Sequence, residues 1–155
     1  MDTDAAGDRR NGGAIGRLSL ITLGVADLER AVAFYREVFG RDPNPDYQGV
    51  AFFELPGTWL ALYPRDKLAE DIGLATAPAG FSGVTLAYNG RDREEVLAVY
   101  ARAEAAGATP VKPPRDTFWG GFSGYFADPD GHYWETAWGP MFEFGPDGGL
   151  RFRVA

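Results

Sequence analysis

Glu135 is the acidic residue in this sequence whose neighbours best suit chemistry. It lies among aromatic and small residues in the segment His132 to Trp138, which follows an Asp-Pro-Asp-Gly turn and has the composition of a strand. Because side chains alternate across a strand, Glu135 shares a face with Tyr133 and Ala137. A carboxylate there must find a partner, bind a cation or have its pKa raised by desolvation. The alternative is a strand-end position, hydrated or paired with a Lys or Arg.

Two further features close in sequence to Glu135 could contribute to a site. The segment from Asp116 to Tyr125 combines glycines, which let the backbone approach a bound molecule, with aromatic side chains that offer stacking area. We expect Trp119 to form a wall or lid of a pocket, although core packing beneath a glycine bulge would give the same pattern. His132, the only histidine, should point to the opposite face from Glu135. It is expected to pack near the turn or to bond a backbone group rather than to bind a metal.

The composition argues against several other kinds of chemistry. The absence of cysteine removes disulfides, thiolate metal sites and cysteine nucleophiles, and it fits a reducing compartment. The pair Gly120-Gly121 lacks the third glycine or the Gly-Lys-Ser/Thr pattern of a phosphate-binding loop. The serines and threonines expected near the pocket have no histidine base beside them, so a serine or threonine hydrolase is poorly supported.

The chain as a whole has the size and composition of one globular domain. It has 155 residues, of which 45% are hydrophobic and 14% aromatic, enough for one core and an aromatic-lined cavity. A formal net charge of -7 disfavours nucleic acid as a partner. No apolar run is long enough for a membrane helix, and the start of the chain has no apolar signal core. We expect a cytoplasmic protein without a membrane partner.

The chain carries one structural pattern twice. Strand-like residues from Leu18 to Val25 precede Asp27 at a helix N-cap position, and the apolar residues that follow at helical spacing end at Gly40. Two short strands at 50–55 and 58–63 surround a Pro-Gly turn. The second half repeats this order, with a strand at 83–89, a helix from Asp92 to Gly107, and strands at about 109–111, 124–127 and 132–138. The sequence therefore predicts an α+β fold of two βαβββ modules that pair to form a cupped mixed sheet around a pocket.

This repeat also predicts how the chain is divided. Residues 1–16 should be a disordered leader, residues 17–140 a single domain, and residues 141–155 a C-terminal arm. The first module should span about 18–64 and the second about 82–138. The arm carries more aromatic residues than a free tail should expose, so we expect it to pack on its own domain or on a second subunit.

Strand alternation then sorts side chains between the helix side and the cavity. The more hydrophobic set of each strand should face the helices, and the other set should line the cavity. The predicted ligand-binding residues are Leu20, Thr22, Trp59, Ala61, Tyr63, Gly83, Thr85, Trp119, Tyr133 and Glu135. Glu135 is the only ionisable group among the inward positions, and none is strongly basic. This pattern favours a flat, neutral or positively charged ligand over an anionic one.

Two stretches of the sequence resemble a known family. The run ITLGVADLERAVAFY from Ile21 to Tyr35 resembles the strand and first helix of the vicinal-oxygen-chelate superfamily, and DPDGHYWE from Asp128 to Glu135 resembles its closing hairpin. This is the glyoxalase/bleomycin resistance protein/dioxygenase superfamily, whose members are built from paired βαβββ modules. The resemblance covers roughly residues 18–140 and implies glyoxalases, extradiol dioxygenases, epimerases, fosfomycin-inactivating transferases or drug-binding proteins as functions. Fold alone does not choose among them.

The resemblance also implies four positions for metal ligands, which enzymes of this superfamily fill with His or Glu. They fall at Leu20, near Ala61, near Gly83 and at Glu135, so only Glu135 keeps a ligand type. A catalytic metal site needs about three protein ligands and an open position. We therefore expect no cofactor and no metal, with a divalent ion poorly supported. A shift of each strand by one residue offers Ser19, Ile21, Ser82 or Val84 instead and restores no site.

Three functions remain as hypotheses from the sequence. The leading one is a metal-independent small-molecule binder resembling the bleomycin-resistance branch, which would sequester a flat aromatic or cationic compound. The second is a glyoxalase-like lyase or dioxygenase-type enzyme that uses Glu135 as its catalytic residue, with or without a divalent metal. The third is an interaction module without a ligand, which the small residues at the inward positions disfavour. By resemblance, we also expect a homodimer.

Overall fold

The computed structural model describes residues 18, 20–71, 80–82 and 84–154. The predicted leader at 1–16 and the predicted pocket residue Gly83 lie outside the described residues. The elements in chain order are β1 (Leu20–Val25), α1 (Leu28–Phe39), β2 (Ala51–Phe53), β3 (Trp59–Pro64), α2 (Arg65–Asp71), β4 (Thr85–Asn89), α3 (Arg93–Ala105), β5 (Thr109–Asp116), β6 (Phe122–Ala127), β7 (Tyr133–Trp138), β8 (Phe142–Phe144) and β9 (Leu150–Phe152).

The first module forms a mixed sheet with strand order β1-β3-β2. Helix α1 begins as predicted, because the Asp27 side chain accepts a hydrogen bond from the Arg30 amide at 3.1 Å. It ends at Gly40, whose φ of 65° is in the left-handed region that favours glycine. The described part of this module has three strands, since the segment rich in proline, asparagine and aspartate after Gly40 forms turns instead of a strand.

The second module forms a mixed sheet with strand order β4-β7-β6-β5. Its helix α3 is capped by Asp92, which accepts a hydrogen bond from the Glu95 amide at 2.8 Å. The α+β fold class and the strand, helix, strand order of both halves are confirmed. Strand β5 is longer than the predicted 109–111 and pairs with β6 through two register shifts.

Both sheets contribute to one hydrophobic core that also contains α1 and α3. Side chains from the first sheet and from the second lie in the same buried cluster, together with Tyr35 and Tyr100 from the helices; the strand residues are Leu23, Val25, Phe53, Leu60, Leu62, Phe126 and Trp134. Those of β1, β3 and β7 belong to the set predicted to face the helices. Because side chains alternate, the other face of each sheet points away from this shared core.

The turn between β6 and β7 fastens the second module to the first. The buried Asp128 accepts a 2.7 Å hydrogen bond from the Tyr35 hydroxyl, which in turn accepts one from the Trp134 indole at 2.9 Å. Asp130 accepts hydrogen bonds from the Ala26 amide at 2.8 Å and from Arg30 at 2.9 Å. Charge-assisted bonds of this kind are stronger than neutral ones, so the turn holds both modules in one arrangement.

His132 lies in this turn and bonds a backbone group as predicted. Its Nε2 is 2.7 Å from the carbonyl oxygen of Gly24 in β1. Through this ring nitrogen, His132 joins the turn of the second module to β1 of the first module.

The C-terminal arm folds into the hairpin β8-β9, whose residues pair from Phe142 with Phe152 to Phe144 with Leu150. The two phenylalanine rings of the first pair lie 5.3 Å apart, and on the other face Glu143 and Arg151 form an ion pair of 3.6 Å. The arm therefore packs partly on its own chain. None of the helices in the described residues is long and apolar enough to span a membrane.

Candidate functional site

A cavity of about 460 Å³ opens on the outer face of the second sheet. Strands β5, β6 and β7 form its floor and one wall, and the loop after β5 forms another wall. The lining residues are Lys112, Arg115, Asp116, Thr117, Phe118, Trp119, Ser123, Tyr125 and Glu135. Both Trp119 and Glu135 were predicted as pocket residues, and the structure places them in the same cavity. Its volume lies in the range of small-molecule pockets.

Glu135 is paired with a tyrosine on the neighbouring strand. Tyr125 lies opposite Glu135 in the antiparallel pairing of β6 with β7, and its hydroxyl donates a hydrogen bond to the carboxylate. Burial raises the pKa of Tyr125, and the negative charge of Glu135 and this hydrogen bond raise it further. The phenol therefore stays protonated at neutral pH and remains a donor. Strand alternation could have identified Tyr125, because Gly124 to Ala127 was already read as a strand.

The prediction that the pocket lacks basic residues is wrong. Lys112 and Arg115 both line the cavity, so Glu135 is also not its only ionisable group. The predicted strand ended at about Val111, before the pair Pro113-Pro114. An edge strand tolerates proline, and β5 is an edge strand of its sheet. Register shifts between Pro110 and Arg115 turn both cationic side chains toward the pocket.

Trp119 lies on a tight turn that closes one side of the cavity. The Thr117 amide donates to the Gly121 carbonyl at 3.0 Å, and the Gly121 amide donates to the Thr117 hydroxyl at 3.0 Å. Phe118, at the tip of the turn, is fully exposed, whereas Trp119 is half-buried. The turn thus presents one aromatic ring to solvent and fixes the other beside the pocket.

The predicted pocket residues of the first module lie on the other sheet. They share its outer face and do not line the 460 Å³ cavity of this chain; they are Leu20, Thr22, Trp59, Ala61 and Tyr63. Their face carries a row of aromatic rings, Tyr47, Phe52 and Trp59, with centroid spacings of 5.3 and 6.5 Å. We call these three residues the aromatic row. Trp59 is 41% exposed and Leu20 40% exposed, so this face is an open apolar surface.

Two further predicted residues lie on the face of the second sheet that bears the pocket. Thr85 of β4 pairs with Tyr133 of β7, and both are on the side of Glu135. The Tyr133 ring contacts Phe81 at a centroid distance of 5.7 Å, and neither Thr85 nor Tyr133 lines the cavity. In one chain, the structure therefore brings together Glu135 and Trp119 from the predicted set and adds a cationic wall.

Comparison with known proteins places this architecture in a family. A family model described as Glyoxalase/Bleomycin resistance protein/Dioxygenase superfamily matches residues 17–136. The chain belongs to this superfamily. The metallothiol transferase FosB of Shouchella clausii is 32% identical over 124 residues, which are 79% of this chain and 80% of that protein. The match to the family model ends at residue 136, before the C-terminal hairpin, whose first strand begins at Phe142.

Solved structures of the superfamily agree with this assignment. A glyoxalase-related enzyme from Fulvimarina pelagi has a TM-score of 0.80 and 37% identity, covering 90% of this chain and 100% of the other. A glyoxalase/bleomycin resistance protein/dioxygenase from Nocardioides has a TM-score of 0.68 and 26% identity, covering 97% of this chain and 99% of the other. The predicted membership of the superfamily is confirmed.

The described residues do not fit a metal at the positions that the superfamily implies. Leu20 and Ala61 carry only hydrocarbon side chains, and the third position, Gly83, lies outside the described residues. Elsewhere in the part of the chain that the structure describes, no three His, Asp or Glu side chains come together in a way that could hold an ion. Glu135 alone does not make a catalytic metal site.

Proposed function

We propose that this protein is a metal-independent small-molecule binder that sequesters a compound with a flat apolar part and an acidic group. The observation that carries the proposal is the meeting of Lys112 and Arg115 with the indole of Trp119 in one cavity. The flat ligand and the likeness to the bleomycin-resistance branch come from the sequence. The acidic group replaces the cationic ligand expected there, because the cavity has a basic wall.

The charges of the pocket support an anionic ligand. Asp116 is hydrogen-bonded to Arg93 of α3, and Glu135 accepts a bond from Tyr125, so both carboxylates have partners. Neither Lys112 nor Arg115 forms an ion pair with another of the described residues. Two cationic groups without counter-ions among the described residues attract an anion, and a guanidinium binds a carboxylate in bidentate geometry.

Binding of a matched pair of aromatic ions tests this proposal. Isothermal titration calorimetry should show that 2-naphthoate binds more tightly than 2-naphthylmethylammonium, which has the same rings and the opposite charge. We expect Lys112→Ala to weaken 2-naphthoate binding about tenfold, the effect of one hydrogen bond to a charged group. Lys67→Ala, an exposed lysine of α2, is the control and should leave the affinity unchanged. Tighter binding of the ammonium ion, or no effect of Lys112→Ala, would overturn the proposal.

The second candidate is an enzyme that uses Glu135, as a glyoxalase-like lyase, a dioxygenase-type enzyme or a transferase. The likeness to a metallothiol transferase favours it. Elemental analysis of protein incubated with manganese, iron, nickel and zinc and then dialysed distinguishes the two candidates. About one retained ion per chain that disappears in Glu135→Ala would support the metal-dependent enzyme. Without a retained ion, substrate turnover that Glu135→Ala abolishes would still support the enzyme, acting without metal.

We also propose that a second copy of the chain completes the pocket. The two outer sheet faces point away from the shared core, so Glu135 and the predicted residues Trp59 and Leu20 do not meet within one chain. Among the described strands, β1 and β4 each have one edge without a partner strand, and such edges invite association unless they are covered. In a twofold dimer, the aromatic row of one subunit can cover the cavity of the other, which gives a flat ligand a second apolar wall.

A cytoplasmic location remains a proposal that rests on the absence of cysteine.

A further inference from the structure

The indole of Trp119 packs closely against two glycine positions. A Cβ atom on Gly121 would overlap the six-membered ring of Trp119, and a Cβ atom on Gly139 would lie 2.9 Å from the same ring. A Cβ atom on Gly121 would also lie 2.5 Å from the carbonyl oxygen of Trp138, a backbone atom, so only glycine fits there. At Gly139 an added Cβ would meet the ends of side chains, which would have to shift. The backbone just before β6 and the segment just after β7 thus both lie against the six-membered ring of Trp119.

Two residues at the start of the C-terminal hairpin lie near the same place. The position of a Cβ on Gly139 is also 2.5 Å from the sulfur of Met141 and 3.3 Å from the ring of Phe142, so both side chains lie near the edge of the indole. Phe142 is the first residue of β8, and its ring packs on Phe152 of β9. The wall of the pocket is therefore connected, through neighbouring side chains, to the last strand of the chain.

One arginine fastens the two halves of the hairpin at this point. The Arg153 amide donates to the Met141 carbonyl at 2.7 Å, and its guanidinium donates to the carbonyl oxygens of Pro140 at 3.2 Å and Phe142 at 3.3 Å. These three bonds hold the backbone from Pro140 to Phe142 in one place. A side chain that rests on this backbone segment has little freedom to move.

We infer that the C-terminal hairpin is a positioning element of the binding site, which holds Trp119 as a fixed wall through Met141 and Phe142 and so gives the pocket its preference for flat ligands. The inference rests on the proposed function for its second half only. A fixed indole offers the ligand a planar surface and loses little side-chain entropy on binding. A mobile indole loses side-chain entropy when the ligand binds, which weakens the affinity. The hairpin lies after the residues that match the superfamily, 17–136.

A readout that needs no ligand tests the first half of the inference. In protein labelled with 5-fluorotryptophan, Trp119→Phe assigns one of the four ¹⁹F resonances to Trp119. Met141→Ala removes a side chain that lies near the indole without adding bulk, and we expect it to shift and narrow this resonance as the ring gains motion. Gly139→Ala should shift it by displacing the ring. Leu150→Ala, an exposed residue of the same hairpin, is the control and should leave it unchanged.

Ligand selectivity tests the second half. We compare 2-naphthoate with cyclohexanecarboxylate, which carries the same charge on a ring that is not flat. Met141→Ala should reduce the preference for 2-naphthoate about fivefold, the size of a partial loss of aromatic stacking, and Leu150→Ala should not. An unchanged Trp119 resonance in both Met141→Ala and Gly139→Ala would overturn the inference, and so would an altered resonance with unaltered selectivity. If the unmodified protein binds neither acid, the proposed function fails, while the ¹⁹F spectra still decide whether the hairpin positions Trp119.

Discussion

At the scale of single residues, alternation along β7 was enough to predict that Glu135 faces a pocket. It was not enough to predict how the carboxylate is stabilised there, because its partner lies on another strand. The Tyr125 hydroxyl donates to Glu135, so the carboxylate keeps a hydrogen bond in a partly apolar setting. Alternation within one strand identifies a face, whereas the register between strands decides which side chains on that face meet.

The pair formed by Tyr125 and Glu135 leads to a prediction about titration. Glu135→Gln removes a negative charge that raises the pKa of Tyr125, so the Tyr125 pKa should fall toward its ordinary value while the contribution of burial remains. NMR titration of protein with ¹³Cζ-labelled tyrosine, assigned with Tyr125→Phe, measures this change. Glu143→Gln, whose carboxylate pairs with Arg151 on the terminal hairpin, is the control. A Tyr125 titration that is identical in Glu135→Gln and the unmodified protein would contradict the pairing.

At the scale of elements, β5 shows why part of the site could not be predicted. Two consecutive prolines ordinarily mark the end of a strand, and the prediction stopped before them. The strand continues because its outer edge needs no partner, and register shifts absorb the residues that cannot donate hydrogen bonds. Local sequence rules describe the average strand, whereas this one is held in place by β6 beside it.

The contact between β5 and β6 gives a prediction at this scale. A Cβ on Gly124 would lie 2.7 Å from the Pro114 nitrogen and 2.8 Å from the Lys112 carbonyl, both backbone atoms that cannot turn aside. Gly124→Ala should push β5 outward, lower the free energy of unfolding by about 1–3 kcal/mol and weaken 2-naphthoate binding through Lys112 and Arg115. Urea denaturation and calorimetry measure the two effects.

The matched control for this change lies in the turn of the terminal hairpin. The three atoms nearest to a Cβ on Gly149 would be the two carboxylate oxygens of Asp147 and the carbon between them, all at the end of a side chain. Gly149→Ala should therefore cost less stability than Gly124→Ala and leave the affinity for 2-naphthoate unchanged. Equal losses in the two variants would argue against the packing of Gly124 on β5.

At the scale of the whole molecule, the internal repeat was enough to predict the fold, but not how the two outer sheet faces are arranged. Hydrophobic alternation shows which face of each sheet is buried, and the shared core confirms that choice for β1, β3 and β7. Alternation does not show in which direction the other face of one sheet points relative to that of the second sheet. They point away from one core, a relation that depends on contacts between residues about a hundred positions apart, such as Tyr35 with Asp128.

This arrangement leads to a prediction about assembly. If a pocket is completed by the aromatic row of a second copy, Trp59→Ala and Lys112→Ala damage the same site from different subunits. Each variant alone should bind 2-naphthoate weakly. Mixing them under conditions that exchange subunits should restore full affinity in about a quarter of the sites, since half of the dimers are mixed and each has one undamaged site. Calorimetry of the mixture together with the mass in solution measures this, and a monomer, or a mixture without restored sites, would contradict it.

The contacts of Asp128 and Trp134 with α1 have a consequence for the synthesis of this protein, because the two modules leave the ribosome one after the other. Tyr35 and Phe39 are synthesised early, yet each packs on the ring of Trp134 at a centroid distance of 6.1 Å. The Tyr35 hydroxyl likewise has no bond to Asp128 until that residue has been synthesised. A ribosome must therefore add about a hundred residues after α1 before the part of its apolar face that packs on Trp134 can be covered, and some tens of residues more before the chain has left the exit tunnel. During that interval the first module exposes aromatic side chains, which makes the nascent first half, rather than the finished protein, the form in greatest need of a chaperone.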